Sequence, residues 1–107
     1  MGLTKTQIFS KEQNNLANIF RVLANPARIA ILQYLSNEQG CICNDIVEEI
    51  GLAQPTVSQH LKELKQIGLI QGEIEGKKIC YCINQKKLLQ LQELMNTFFI
   101  NTQTNCC

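Results

Sequence analysis

Long apolar runs, net charge and histidine are scarce in this sequence, and each shortage narrows the possible functions. No apolar run is long enough to cross a bilayer, and the first residues lack the basic start and apolar stretch of a signal peptide. We therefore expect a cytoplasmic protein with no membrane partner. The net charge is only +1 over 107 residues, so binding of nucleic acid through charge alone is not indicated. Any such function must rest on a motif.

Cysteine, in contrast, is abundant and paired. The six cysteines form three close pairs: Cys41 and Cys43, Cys80 and Cys82, and Cys106 and Cys107. Because cytoplasmic thiols stay reduced, such pairs more often indicate metal binding or redox chemistry than a disulfide framework. We expect a sensing role for at least one pair. A purely structural role as small buried side chains is the alternative, above all for the pair at residues 80 and 82.

The first part of the chain has two segments with apolar residues at helical spacing. Residues 10–24 begin with Ser10 and Gln13 at the spacing of a capping box, and the next segment begins with Asn25 as a cap and Pro26 at the first helical position. These signals predict two successive helices. Their expected core residues are Leu16, Ile19, Phe20 and Leu23 in the first helix and Ile29, Leu32 and Leu35 in the second.

A short helix, a tight turn and a longer helix are predicted over residues 44–67. Asn44 is expected to cap the short helix, and Asp45 places negative charge in its first turn. The turn is only Gly-Leu-Ala, Pro55 lies in the first turn of the longer helix, and Gly68 ends that helix. The expected core residues of the longer helix are Val57, Leu61 and Leu64. This arrangement is typical of a helix-turn-helix.

Residues 69–84 contain two strand-like segments around a glycine turn, which predicts a β-hairpin wing. Alternation in the second strand gives a core face with Ile79, Tyr81 and Ile83 and an outer face with Cys80 and Cys82. The Cys-Ile-Cys segment before the short helix is expected to pair with this second strand. Such pairing would bring the first two cysteine pairs beside each other if they share a face.

The order of the elements predicts a single domain over residues 1–107, mainly α with a small β-hairpin wing, which is a winged helix-turn-helix. The predicted last helix, residues 86–100, is apolar over well more than half of its surface, and the helix at 10–24 has a similar excess. A domain of this size cannot easily bury such broad faces. We therefore expect a homodimer that pairs through its first and last helices.

The second helix of a helix-turn-helix enters the major groove of double-stranded DNA. Here the polar face of that helix carries amides, hydroxyls and lysines, which suit contacts to base edges and phosphates. Two lysines at the hairpin tip are placed to contact a neighbouring phosphate or the minor groove. The candidate DNA-binding residues from this pattern are Thr56, Ser58, Gln59, Lys62, Lys65, Lys77 and Lys78.

Two segments, LANPARIAIL and GLAQPTVSQHLKELKQIGLI, closely resemble the ArsR-type bacterial metalloregulators, and the resemblance extends roughly from Leu16 to Asn84. It implies a homodimeric winged-helix repressor that binds operator DNA when free and releases it when a metal or an oxidant binds. The family's recognition positions map to Gln54, Thr56, Ser58, Gln59 and His60. Where the family often has serine, this chain has Ala53, which lacks an oxygen to cap the recognition helix.

The family's sensor sites carry over only in part. Its arsenic-responsive branch often has Cys-Val-Cys-Asp near the first turn of the helix before the recognition helix, and the run here is one residue longer. With Asp45 aligned to the family's aspartate, Cys41 and Cys43 fall one position early, and Ile46 stands where a third cysteine sometimes lies. Another branch binds zinc on its last helix, where this chain offers only Glu93 and no histidine.

A thiol-binding inducer is the main hypothesis. Thiolates prefer soft ions, and arsenic(III) or antimony(III) favours a third thiolate beside the two of a Cys-x-Cys segment. The expected inducer is therefore arsenic(III), antimony(III) or another soft metal, with no organic cofactor. The residues assigned to its site are Cys41, Cys43, Cys106 and Cys107, with Cys80 and Cys82 as less favoured ligands. The alternative is a reversible thiol redox bridge, for example between Cys41 and Cys107.

Other functional classes are less consistent with the sequence. An enzyme would use a cysteine nucleophile with His60 as its base, but His60 lies on the predicted recognition helix, and neither an orienting acid nor a pocket-forming loop is indicated. We therefore predict that the protein is not an enzyme. A DNA-binding module that responds to nothing, or a protein–protein adaptor on the same scaffold, remains a further alternative.

Overall fold

The computed structural model describes residues 5–38, 40–42, 45–76 and 78–102. The elements in chain order are α1 (Lys5–Ile8), α2 (Lys11–Leu23), α3 (Pro26–Asn37), α4 (Ile46–Ile50), α5 (Gln54–Gln66), β1 (Ile70–Glu75), β2 (Lys78–Ile83) and α6 (Gln85–Asn101). The predicted order and class are confirmed, because the chain is mainly helical with one antiparallel hairpin. The short α1 was not predicted.

Side-chain caps determine where three of the helices begin. The Oγ atom of Ser10 accepts from the N–H of Gln13, and the Oε1 atom of Gln13 accepts from the N–H of Ser10, so the predicted capping box of α2 is confirmed. Asn25 caps α3 ahead of Pro26 by accepting two backbone N–H bonds. Asn84 caps α6 by accepting one bond, from the N–H of Lys87, although the sequence pattern did not indicate this cap.

Helix α4 begins differently from the prediction. Its N-cap residue is Asp45, which has a left-handed backbone (φ 71°, ψ −9°) and makes no side-chain cap bond. The expectation that Asn44 caps this helix is therefore wrong, since the helix begins at Ile46; Asn44 itself lies outside the described residues. A left-handed conformation at a residue other than glycine costs about 1 kcal/mol or more, so the start of α4 is strained.

A third segment, at Ile42, pairs with the hairpin. Strands β1 and β2 pair antiparallel with Gly72 opposite Tyr81. On the other edge of β2, the N–H of Ile42 donates to the carbonyl oxygen of Tyr81 at 2.7 Å, and the N–H of Tyr81 donates to that of Ile42 at 2.8 Å. The predicted pairing of the Cys-Ile-Cys segment with the second wing strand is thus confirmed at Ile42, and β2 lies in the middle.

The core lies between the helices and the base of the hairpin. Its buried members are Ile19, Val22, Ile31, Leu35, Ile46, Val57, Leu61, Leu64, Leu69, Ile70 and Leu91. The predicted stripe of α5 is confirmed in full. In α3 the prediction is wrong at one position, because Ile31 is fully buried and Ile29 is 40% exposed. That helix is apolar on several sides, so the spacing alone could not select the buried one.

Helix α6 keeps much of its apolar surface exposed. Leu89 and Ile100 are each 63% exposed and Phe99 is 54% exposed. The ring of Phe98 meets that of Phe20 at 6.0 Å between centroids, so α2 and α6 meet through an aromatic pair. In the described part of the chain, no helix combines the length and hydropathy needed to span a bilayer.

Candidate DNA interface and thiol cluster

Helix α5 presents a polar face because its apolar stripe is fixed in the core. Val57 and Leu64 are completely buried and Leu61 is nearly so, which leaves the opposite side of the helix in solvent. We call six exposed polar residues of α5 the reading surface; they are Gln54, Thr56, Ser58, Gln59, Lys62 and Lys65. Their amides, hydroxyls and ammonium groups are those that contact base edges and phosphates in DNA complexes.

The acidic residue of α5 is turned away from this surface. The carboxylate of Glu63 pairs with the guanidinium of Arg21 on α2 at 3.2 Å, and Glu63 is much less exposed than Arg21. Lys62 and Lys65 therefore face solvent without an acidic neighbour on α5, which raises the positive potential along the reading surface.

His60 lies at the edge of the reading surface and is held by α3. The Nε atom of Arg28 donates to the Nδ1 atom of His60 at 3.0 Å, while another nitrogen of Arg28 donates to the carbonyl oxygen of Val22. This arrangement fixes the ring orientation and leaves Nε2 of His60 to carry the proton. A contact to DNA is compatible with this geometry, and a catalytic base acting on a cysteine is not indicated.

The wing and the start of α5 lie on the same side of the molecule. A groove of about 700 Å³ is lined by Gln54 and Ser58 of α5, by Glu48 of α4, and by Lys78 and Tyr81 of β2. Within it, the side-chain amide of Gln54 donates to the hydroxyl of Ser58 at 3.0 Å. Lys78 is exposed, while Lys77, the other predicted wing contact, lies outside the described residues.

The structure brings together two of the cysteines assigned from the sequence and a carboxylate that the sequence pattern did not indicate. The Sγ atoms of Cys41 and Cys82 and a carboxylate oxygen of Glu73 all lie within 4.8 Å of one another. We call these three residues the thiol cluster. Both cysteines are free thiols and half-buried, and Glu73 is exposed. Three separate segments thus contribute one ligand each.

The two thiols of the cluster interact directly. The hydrogen bond shared with the Cys82 thiol, partial burial, and the neighbouring charges on Cys82 and Glu73 together raise the pKa of Cys41 to about 12. The Cys41 thiol is therefore protonated near neutral pH, and a bound cation would have to displace its proton. In addition, the side-chain amide of Gln71 lies 3.7 Å from Cys82 Sγ and donates to it.

The other predicted ligands are placed as follows. Cys43, Cys106 and Cys107 lie outside the described residues. Cys80 is completely buried and is disulfide-bonded. The expectation that Cys80 points outward is therefore wrong. Alternation does put Cys80 on the other face of β2 from Tyr81, which packs on the core, but the structure buries that face at Cys80 as well.

Two sequence-based inferences about the wing need revision. Ile79 was expected in the core with Tyr81 and Ile83, but it is 49% exposed because it lies toward the hairpin tip, beyond the core. Glu73 was missed altogether as a site residue. The strand register could have identified Glu73, because it sets Glu73 opposite Cys80 and therefore diagonal to Cys82 on the same face.

Comparison with known proteins assigns this architecture to a regulator family. The family model described as "Bacterial regulatory protein, arsR family" matches residues 25–71. The chain is 35% identical over 92 residues to an arsenical resistance operon repressor of Staphylococcus xylosus, covering 86% of each protein. It is 31% identical over 91 residues to the cadmium resistance transcriptional regulatory protein CadC of Listeria innocua, covering 84% of this chain and 76% of that protein.

Another relative matches a shorter region. The HTH-type transcriptional repressor SmtB of Mycobacterium tuberculosis is 43% identical over 63 residues, but the match covers 59% of this chain and only 46% of that protein. Among solved structures, a homodimeric winged helix-turn-helix DNA-binding domain from Mycobacterium bovis superposes with a TM-score of 0.66 at 24% identity, covering 100% of this chain and 96% of the other. At that identity the likeness establishes the shared fold.

Proposed function

This chain belongs to the ArsR family of bacterial regulatory proteins, and on that premise we propose that it is a transcriptional repressor released from its operator by a thiol-binding metal or metalloid. It is a DNA-binding transcriptional regulator and not an enzyme. The observation that carries the proposal is the thiol cluster, which lies in the same small domain as the exposed reading surface. We place this activity in the cytoplasm, where free thiols persist.

For DNA binding, we propose that α5 enters the major groove and the wing contacts the flanking backbone. The exposed lysines and the inward-facing Glu63 support this assignment, since both concentrate positive charge on one side. The residues proposed to contact DNA are Gln54, Thr56, Ser58, Gln59, His60, Lys62, Lys65, Lys77 and Lys78.

For assembly, we propose a homodimer that pairs through α2 and α6. The exposed Leu89, Phe99 and Ile100 support this, because monomeric proteins rarely leave so many large apolar side chains of one helix in water. A two-fold dimer would also present two copies of α5 to two half-sites of a palindromic operator. The Mycobacterium bovis domain with this fold is itself homodimeric.

For the inducer, arsenic(III) and antimony(III) are the proposed first candidates, with other soft metals as the wider class. The thiols of Cys41, Cys43, Cys106 and Cys107 are the proposed ligands from the sequence. The relatives support a metal or metalloid in general terms, because one is named for arsenical resistance and another for cadmium resistance.

A second candidate function is thiol redox sensing, which one specific observation favours. Cys80 is disulfide-bonded, and Cys82, whose thiol is free, lies two residues further along β2 on the same face. Oxidation of nearby thiols to a disulfide could then alter the state of the wing. The two candidates differ in the reagent that releases DNA.

The test begins with selection of a preferred DNA sequence from a random duplex library by the purified protein. Fluorescence anisotropy then measures the affinity for that duplex with and without arsenite, antimonite, cadmium(II) and a thiol oxidant. We expect nanomolar binding that weakens by at least about 5-fold with one or more of the ions, in the range of allosteric coupling. Affinity that changes only with the oxidant would favour redox sensing, and affinity that changes with no reagent would contradict both candidates.

A further inference from the structure

We propose that Cys41, Glu73 and Cys82 form a binding site for one thiophilic divalent cation per protomer. The site deepens the proposed function by naming ligands from the wing. Its role in the release of operator DNA rests on that proposed function. Cys41 and the less favoured Cys82 were already assigned from the sequence, and the difference from that set is Glu73 and the absence of Cys43, Cys106 and Cys107.

The strand register explains why the two thiols meet. Ile42 and Tyr81 exchange both of their backbone hydrogen bonds, so they form a hydrogen-bonded pair of an antiparallel ladder. The next position along such a ladder is a pair without backbone hydrogen bonds, where side chains approach most closely. Cys41 and Cys82 occupy that position and share one face, which is the arrangement needed for two sulfurs to hold one ion.

Glu73 completes the set from the opposite edge of β2. In the hairpin register Gln71 is opposite Cys82, so Glu73, two residues further along β1, is its diagonal neighbour on the same face. Gln71 donates to Cys82 Sγ and orients that sulfur, as outer hydrogen bonds orient metal ligands. Glu73 is exposed, so its carboxylate can turn toward an ion without disturbing the core.

The donor set selects the class of ion. Two thiolates and one carboxylate oxygen suit d¹⁰ divalent ions such as zinc(II) and cadmium(II), whereas arsenic(III) favours three thiolates. A tetrahedral ion of this kind holds its donor atoms about 3.5–3.8 Å apart, so donors that lie within 4.8 Å need to close by only about 1 Å. The fourth position is left for water or another donor. A pocket lined in part by Glu38, Gly40 and Cys82 borders one of the three ligands.

An ion at this site would act close to the DNA-reading helix. Cys41 is four residues before Asp45, whose left-handed backbone begins α4, and only residues 51–53 separate α4 from α5. Closing the three ligands would pull the Cys41 segment toward the hairpin. Because the start of α4 is already strained, a small pull there can shift α4 and with it α5.

The test measures cadmium(II) binding to the DNA-free protein by calorimetry and by the ultraviolet thiolate-to-cadmium charge-transfer band, in anaerobic buffer without added thiol. We expect one ion per protomer. Cys41→Ser, Cys82→Ser and Glu73→Gln should each weaken binding by at least about 10-fold, and each cysteine variant should also lose part of the charge-transfer band. Thermal melts of the variants identify any loss of affinity that comes from unfolding.

Matched controls separate this site from the alternatives. Glu48→Gln removes an exposed carboxylate on α4 and should bind cadmium like the unmodified chain. Cys106→Ser and Cys107→Ser instead test the ligands assigned from the sequence, and one-ion binding retained in both supports the site of Cys41, Glu73 and Cys82. Folded Cys82→Ser and Glu73→Gln proteins with unchanged affinity would overturn the proposed site, as would a full loss in the tail variants.

Failure of the site and failure of the proposed function give different results. If operator DNA is released by a metal or metalloid but Cys82→Ser and Glu73→Gln respond normally, the site is wrong and the repressor function stands. If cadmium binds through the three residues but leaves operator affinity unchanged, the site stands and its role in release is wrong.

Discussion

The reading surface lies within residues 54–65 of one helix, whereas the thiol cluster takes one residue from each of three segments of the chain. The reading surface depends on helical period and burial, which are local properties. The thiol cluster depends on how two strands and a short segment are aligned, which is a tertiary property. The first region can therefore be identified from local spacing, while the second exists only when three segments are correctly aligned.

The largest effect is expected from separating the two protomers of the proposed dimer. Phe99→Glu combined with Leu89→Glu places charge on the exposed apolar face of α6, so the dimer should dissociate. Operator affinity should fall by at least about 100-fold because two linked half-site contacts become one. Light scattering and anisotropy measure the two effects, and Gln92→Glu on the same helix is the control. Cadmium binding should persist, because the thiol cluster is complete within one chain. Loss of cadmium binding in this variant would contradict a site formed by a single chain.

A smaller effect is expected from the lysines of the reading surface. Lys62→Ala and Lys65→Ala should each weaken operator binding by about 10-fold and reduce the slope of log affinity against log salt by about 1. Lys86→Ala, an exposed lysine on α6, should change neither quantity. Cadmium affinity should be the same in all three variants. An unchanged salt slope in both reading-surface variants would show that these lysines do not contact phosphates.

The thiol cluster should in turn show a pH dependence that the reading surface lacks. Since its neighbours raise the pKa of Cys41 to about 12, this thiol is protonated at neutral pH and must lose its proton to bind a cation. Cadmium affinity should therefore rise with pH, by roughly 10-fold per unit for each proton released between about pH 6 and 8. Calorimetry in buffers of different ionisation enthalpy counts the protons. Flat affinity over this range would mean that Cys41 is not a ligand.

The smallest effect is expected at Ala53, in the turn between α4 and α5. Ala53 has N-cap geometry at the start of α5 but makes no side-chain cap bond. Ala53→Ser should supply the acceptor and stabilise the protein by about 1 kcal/mol, which raises Tm by roughly 4–8 °C in a domain of this size. Ala53→Gly, which lacks the oxygen as well, is the control. No rise in Tm for Ala53→Ser would show that the helix end is already satisfied by other groups.

The fold and the reading surface could be predicted because their signals are local. The capping box at Ser10, the cap at Asn25 and the buried stripe of α5 are all read from spacings of a few residues. Ile29 was misplaced because α3 is apolar on several sides. Asp45 was missed as the N-cap because the sequence pattern placed it in the first turn of the helix, whereas the helix begins one residue later, at Ile46.

The thiol cluster could be predicted only in part. The pairing of the Cys41 segment with β2 followed from the expected architecture, and it is confirmed at Ile42 and Tyr81. The exact register was needed to predict which cysteines meet, because a slip of one residue moves every side chain to the other face of the sheet. Glu73 required the register on the other edge of β2 as well. The site can therefore be identified from the sequence only if the register on both edges of β2 is known.

The most direct test of ion-controlled DNA release is the affinity for cadmium(II) with and without saturating operator DNA. If one ion per protomer controls DNA release, thermodynamic reciprocity requires bound operator to weaken cadmium binding by the same factor by which cadmium weakens operator binding. We predict equal factors of about 5 to 150 in the two titrations, and no coupling in Cys82→Ser. Cadmium affinity that is identical with and without operator would contradict the account.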